Sequence, residues 1–343
     1  MRFLRDHLQE SKRQSQRGRC LHFESGTRCD EMISAHSIQK SGQLALIAEN
    51  GHVYRLSADI TTLKQSKGTP QPKKIGVNQA STFLGFCKKH DNGLFEIIDN
   101  HPLLPDKRQI ALYAYRSICR EFFVKENAVA VLDRMIPHGE LTEEQRSTLN
   151  AAKTGHSLAL SGLQYHKRIY DRALQCEEYD TFEFTYFTST SQCSLQLSGL
   201  LYPDYDFFGN PLQDLGAWSS PLDLITFFTA PIPEGWAYGF AWHTSSNATC
   251  IAFMQSLAAL AAGGGNIEDA LLRFSLSCCE NHAIRISWWD SLSVVQQTAA
   301  VERMHMMAHP SVPVPIQYLA VGCEEIAAWN FEYVHTTLPS TAA

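Results

Sequence analysis

The sequence of 343 residues has no long hydrophobic run. Its longest apolar stretches, residues 222–230 and 257–262, fall well short of the ~18 residues that a transmembrane helix requires. The start of the chain is polar and basic, without the apolar segment of a secretory signal peptide. We therefore expect a cytoplasmic protein with no membrane partner.

Extremes of composition and internal repeats are also absent. Glycine, proline and charged residues occur at ordinary levels, which excludes a disordered, collagen-like or coiled-coil chain. With 44% apolar residues, the chain is long enough for two domains with their own cores. In a reducing compartment the 10 cysteines favour metal ligation or simple burial over disulfides.

The order of predicted elements indicates an α+β fold. Local patterns predict an exposed loop over 61–76, a helix that starts at Thr142 with Gln145 completing a capping box, and four later strands. The strands are predicted at 180–188, 193–201, 222–230 and 236–243. The chain is thereby divided into a basic, mobile arm (1–19), a small module (20–105), a helical connector (106–178) and a mixed α+β domain (179–343).

Charge is unevenly distributed along the chain. Residues 1–126 contain 20 Lys/Arg against 13 Asp/Glu, whereas residues 127–343 contain 9 against 22. An asymmetry of this kind predicts a module that faces nucleic acid, joined to an acidic domain with another role. The alternative is a chance drift of surface charge.

Cysteine and histidine form the strongest pattern. Cys20 and Cys29 make one pair, and Cys87 and His90 make a second, in a C-x2-H spacing. Zn²⁺ prefers four such ligands in a tetrahedron and takes them in sequence-local pairs. A structural zinc would add about 10–16 kcal/mol of binding free energy to the folding of a small module. The spacing therefore predicts a structural zinc site.

Two alternatives to this ligand set stay open. The three cysteines could be small buried side chains with no metal, and His90 could be an ordinary surface residue. The C-x8-C spacing is also looser than usual, so that His22 or His36 could replace one of the predicted ligands.

The pattern resembles the zinc-bound HNH nucleases, also called His-Me finger or treble-clef nucleases. The resemblance rests on the Cys pair, the AHSI step at 35–38, the following hairpin and FCKKHD at 86–91, and it covers roughly residues 20–100. It implies a ββα-like treble clef that cleaves DNA or RNA. It also implies His36 as general base and Asp91 as ligand of a catalytic Mg²⁺ or Mn²⁺. Fusions of such nucleases with unassigned domains resemble prokaryotic antiviral defence systems.

The sequence departs from the family pattern at three points. Ala35 stands where many members have a metal-binding Asp, Asp91 replaces a metal-binding His, and both Asn78 and Asn92 are candidates for the middle Asn. The alternative is therefore a non-catalytic zinc module that binds nucleic acid or a protein partner. His36 could equally serve as a zinc ligand or as a capping side chain.

Basic residues surround the zinc pattern and predict sequence-independent contact with a phosphate backbone. The candidates are Lys40, Arg55, Lys73, Lys74, Lys88 and Lys89. The alternative is a solvated, lysine-rich loop. Residues 179–343 contain no P-loop or nucleophile elbow. This acidic domain could be a sensor or regulatory unit that contacts a protein partner, or it could be an unrelated enzyme, and the sequence leaves both interpretations open.

Overall fold

The computed structural model describes residues 2–26, 29–57, 59–217, 220–308 and 314–339. The helices are, in chain order, α1 (Arg2–Ser15), α2 (Ile60–Gln65), α3 (Lys88–Asn100), α4 (Lys107–Met135), α5 (Glu143–Gln175), α6 (Asn247–Ala262), α7 (Ile267–Cys278), α8 (Ile286–Ser291) and α9 (Val294–Ala308). The strands are β1 (Met32–His36), β2 (His52–Ser57), β3 (Gln71–Gly76), β4 (Thr82–Cys87), β5 (Phe182–Ser189), β6 (Leu195–Leu201), β7 (Ile225–Ile232), β8 (Gly235–His243), β9 (His282–Ile284) and β10 (Tyr333–Thr336). The expected α+β class is confirmed.

Two compact units make up the chain, and each is assembled from separate stretches of sequence. Unit 1 comprises Met1–Ser37, Thr82–Glu96 and Tyr115–Glu178, and unit 2 comprises Ile38–Ser81, Ile97–Ala114 and Tyr179–Ala343. Residues 38–81 are predicted above as part of the zinc module, but in the structure they group with unit 2. The reason is that β2 and β3 pair within the large sheet of that unit.

Unit 1 places a small sheet directly before a helix. Strands β1 and β4 pair antiparallel, with Met32 opposite Cys87 and His36 opposite Thr82. Helix α3 follows β4 without a loop. Backbone bonds from Arg19 to Leu84 and from Leu21 to Gly85 align the preceding segment with β4.

Aromatic side chains form the core of unit 1. Phe83 contacts Phe86 and Phe123 edge to face, and Phe86 contacts Phe95 in the same way. The guanidinium of the buried Arg116 lies 4.0 Å from the centre of the Phe95 ring. Such pairs add directional stabilisation to apolar burial. This core supports β4 and α3 from one side.

Unit 2 is built on an eight-stranded antiparallel sheet in the order β10-β5-β8-β7-β6-β9-β2-β3. Asn50 and Gly51 both adopt positive φ angles in the turn before β2. Strands β7 and β8 are buried along most of their length. One continuous apolar core includes Trp236, Trp242 and Phe274.

Several predicted elements are confirmed, among them the four strands of 180–243 and the long helix behind Thr142, whose capping box is formed. The loop expected at 61–76 is wrong, since α2 and β3 occupy much of it. Asp59 caps α2, and β3 gains its order from pairing with β2 rather than from an apolar pattern. The expected arm contains a helix, α1, in which Glu10 and Gln14 are buried.

Among the helices described, none has both the length and the apolar character needed to cross a bilayer.

Candidate metal centre

Four side chains of unit 1 converge where β4 passes into α3. The sulfur atoms of Cys20, Cys29 and Cys87 and a ring nitrogen of His90 all lie within 4.8 Å of one another. Cys87 ends β4 and His90 belongs to the first turn of α3, so the uninterrupted step from strand to helix aims both side chains at one point. The structure thus brings together the four residues that the spacing predicts as zinc ligands.

The distances fit a single tetrahedral ion. The Sγ atoms of Cys20, Cys87 and Cys29 lie 3.3, 3.4 and 3.6 Å from Nδ1 of His90. Bonds of ~2.3 Å to sulfur and ~2.1 Å to nitrogen place tetrahedral S and N ligand atoms about 3.6 Å apart. Three thiolates and one imidazole are also the donor set that Zn²⁺ prefers over Mg²⁺ or Ca²⁺. The cluster could hold a metal ion such as zinc.

Backbone amides point at the sulfur atoms. The amide of Gly26 donates to Sγ of Cys29 at 3.3 Å, and the amides of His22 and Cys87 donate to the Cys20 sulfur. Such bonds orient ligands and support the charge of a bound thiolate. Burial nevertheless raises the pKa of the Cys20 thiol to about 11. A bound metal ion would favour the thiolate form of this residue.

Asp30 attaches the cysteine loop, the segment that carries Cys20 and Cys29, to α3. Its Oδ1 accepts a 3.0 Å hydrogen bond from the amide of Lys89, and the carbonyl of Glu31 accepts one of 2.8 Å from the amide of Lys88. The bond from the Lys89 amide is the main reason that the pKa of Asp30 lies below its usual value. A carboxylate at this helix end is also favoured by the helix dipole. These bonds fix the residues next to Cys29 against the turn that carries His90.

His22 lies beside the cluster but is not one of the four. Its ring stacks on that of His90, with centroids 4.1 Å apart and an interplanar angle of 6°. Its Nδ1 accepts a hydrogen bond from the amide of Glu24 at 3.0 Å. His22, Glu24 and His90 form a second group of potential ligands, which shares His90 with the first. His22 therefore packs against a ligand instead of replacing one.

The predicted catalytic pair occupies other positions in unit 1. His36 is the last residue of β1, at the opposite end of the small sheet from Cys87, and Asp91 follows His90 on α3. Both side chains are half-buried. Two groups of three or more potential metal ligands occur in the part of the chain that the structure describes, and neither contains His36 or Asp91. Their catalytic roles stay predictions.

The six predicted nucleic-acid-binding residues are all exposed, but they are divided between the units. Lys88 and Lys89 occupy the first turn of α3, next to the cluster. The other four belong to unit 2, and three of these, Arg55, Lys73 and Lys74, lie on the β2–β3 hairpin. The charge excess of the first 126 residues is divided in the same way. Unit 1 holds 18 Lys/Arg against 16 Asp/Glu, and unit 2 holds 11 against 19.

Comparisons with known proteins supply no relative from which a role could be transferred. No protein-family model matches the sequence, and no curated protein or solved structure shows significant similarity to it. The functional case therefore rests on the geometry of the Cys20, Cys29, Cys87 and His90 cluster and its surroundings.

Proposed function

We propose that this chain is a zinc-stabilised nuclease of the HNH kind, which hydrolyses phosphodiester bonds in DNA or RNA. The observation that supports the proposal best is the cluster of three cysteines and one histidine at the start of α3. Helix α3 directly follows β4, and β4 pairs with β1, the strand that ends at His36. This order of cysteine loop, two paired strands and helix is the order that the resemblance implies. The zinc would be structural, and residues 37–81 would be an insertion between the two strands.

Each predicted residue has one chemical task in this proposal. His36 would take a proton from the water that attacks phosphorus, a general-base task that histidine side chains commonly perform. A catalytic Mg²⁺ or Mn²⁺, with Asp91 as its predicted ligand, would neutralise charge on the phosphate. Lys88 and Lys89 would contact the backbone from the first turn of α3, whose direction the structural zinc would set.

A second candidate function is a zinc module that binds nucleic acid or a protein partner without cleaving it. It is favoured by Ala35, which offers no metal ligand, and by the absence of His36 and Asp91 from the ligand groups found among the described residues. A hydrolytic cation needs more protein ligands than Asp91 alone supplies.

Cleavage assays separate the two candidates. Purified protein is incubated with plasmid DNA and with RNA in Mg²⁺ or Mn²⁺, alongside His36→Ala, Asp91→Asn and the control His52→Ala, which changes a histidine of β2 with no assigned role. The nuclease proposal expects metal-dependent cleavage that His36→Ala lowers by at least ~100-fold, since general bases contribute about 10²–10⁴-fold. The control is expected to cleave like the wild type.

Two outcomes contradict the nuclease proposal. Cleavage that survives His36→Ala removes His36 from the mechanism. Absent cleavage together with salt-sensitive binding of the same nucleic acids, weakened in the double variant Lys88→Gln and Lys89→Gln, supports the non-catalytic module instead.

A further inference from the structure

A cleft of about 570 Å³ opens in unit 2 beside the β2–β3 hairpin. Its volume lies in the range of small-molecule sites in proteins. The hairpin contributes Arg55 and Lys73 to the wall, and the end of α7 contributes Ser277 and Cys278. Apolar side chains, including Leu201 and Leu276, supply most of the remaining surface. The cleft combines an apolar surface with a few polar groups, the composition expected of a binding site.

Ser277 is an unusual residue in this wall. Its side chain is only 5% exposed, yet its hydroxyl has no hydrogen-bond partner among the described residues. Buried hydroxyls normally have one, and a serine within a helix can bond to the carbonyl four residues earlier. Ser275 of the same helix does so, with a 2.6 Å bond to the carbonyl of Leu271. The Ser277 hydroxyl is thus available to a bound molecule.

Two cations face the cleft from adjacent strands. Arg55 and Lys73 are directly opposite each other in the β2–β3 register, so their side chains leave the same face of the hairpin. Lysine and arginine at the mouth of a cleft are common ligands of phosphate.

The acidic groups of the cleft differ in their surroundings. Asp59 lies 4.0 Å from Lys73, but its two oxygens already accept bonds from the amides of Thr61 and Thr62 and from the hydroxyls of Ser57 and Thr62. Glu280 is an exposed part of the lining.

We propose that this cleft binds a nucleotide, with its phosphate on Arg55 and Lys73, its base or sugar along the apolar wall, and a polar atom on Ser277. This binding site belongs to unit 2 and does not depend on the nuclease proposed for unit 1. It would make unit 2 a sensor of a small phosphorylated ligand.

Calorimetric titration of the full chain with AMP, ADP, ATP, GTP and inorganic phosphate tests the proposal. At least one nucleotide is expected to bind more tightly than inorganic phosphate. Arg55→Gln and Lys73→Gln are each expected to weaken that binding by about 10-fold or more, the usual effect of losing a charged hydrogen bond. Ser277→Ala is expected to weaken it by about 2- to 10-fold without lowering the melting temperature.

Lys64→Gln is the matched control, because Lys64 is an exposed lysine of α2 that does not line the cleft. Its nucleotide affinity is expected to equal that of the wild type. The proposal is overturned if none of the nucleotides binds, if inorganic phosphate binds as tightly as they do, or if Lys73→Gln and Lys64→Gln weaken binding equally. Equal weakening, together with tight binding of a single-stranded oligonucleotide, would indicate a surface for nucleic acid.

Discussion

The hydroxyl of Tyr115, on α4, lies 3.0 Å from the main-chain carbonyl of Leu21, the residue next to Cys20. The same hydroxyl is 2.6 Å from a carboxylate oxygen of Asp171, which also accepts a 2.8 Å bond from Lys167. Its single hydrogen is shared between the two acceptors, and the Tyr115 side chain is buried. A partly buried polar network on α4 and α5 thereby reaches the backbone of the segment that carries Cys20.

We expect Tyr115→Phe to weaken the metal centre although it changes no ligand. The carbonyl of Leu21 and the carboxylate of Asp171 would each lose a partner in a buried setting, which costs about 1–3 kcal/mol. The free energy of unfolding should fall by that amount, and a chelator should remove zinc faster. Tyr165→Phe, at an exposed position of α5, should change neither quantity. Unchanged zinc release in Tyr115→Phe would show that the network does not support the cysteine loop.

We expect the purified chain to contain one zinc ion and Cys87→Ser to lack it, as measured by elemental analysis. Loss of a ligand that is fully buried at the junction of β4 and α3 should also lower the melting temperature strongly, because metal binding is coupled to folding. Chelation of the wild type should have the same effect. Cys176→Ser, an exposed cysteine at the end of α5, should retain zinc and stability. Equal zinc content in both variants would contradict the assigned ligand set.

We expect Gly85→Ala to destabilise unit 1, whereas Gly93→Ala should not. A Cβ atom on Gly85 would collide with the ring of Phe83, which is packed against Phe86 and Phe123. Overpacking of this kind costs about 1–3 kcal/mol. A Cβ atom on Gly93, within α3, meets no other atom, so alanine there should stabilise the helix by up to about 1 kcal/mol. Denaturant unfolding of both variants measures whether each substitution lowers or raises the free energy of unfolding.

We expect His7 on α1 to make the stability of unit 1 fall as the solution is acidified. Burial lowers the pKa of His7 below its usual 6.5, so the unfolded chain binds a proton that the folded chain does not. The stability that the neutral His7 side chain preserves is then fully present above about pH 6.5. It is lost as the pH falls from there toward the lower pKa of His7 in the folded chain. Its Nδ1 is also buried without a hydrogen-bond partner among the described residues, and its ring lies 6.1 Å from that of Phe3. His7→Phe should therefore raise stability at pH 5 more than at pH 8 in denaturant unfolding. An equal change in the free energy of unfolding at both pH values would contradict the assignment of this pH dependence to His7.

The Cys/His cluster could be predicted from sequence because each of its two residue pairs is local in the chain. The C-x2-H spacing of Cys87 and His90 places two ligands on one turn, and the Cys20–Cys29 pair forms a short loop. The role of His22 could not be predicted, because its stacking on His90 depends on how the loop packs against α3. The sequence pattern also failed to predict helix α1 and strand β3. Their regular structure depends on contacts that their polar sequences do not indicate.

By itself, then, the sequence indicated the two Cys/His pairs of the candidate metal site, the capped helix behind Thr142 and the strands of 180–243, since each pair, helix or strand depends on residues close together in the chain. Only the tertiary structure decided that residues 38–81 group with unit 2 through β2 and β3, that the basic residues divide between two units, and that Ser277 shares a cleft with Arg55 and Lys73. These three facts depend on pairing between segments more than 100 residues apart, such as Tyr54 opposite Ile284. Burial and backbone hydrogen bonding select such pairings over the whole fold, and no local pattern of residue types specifies them.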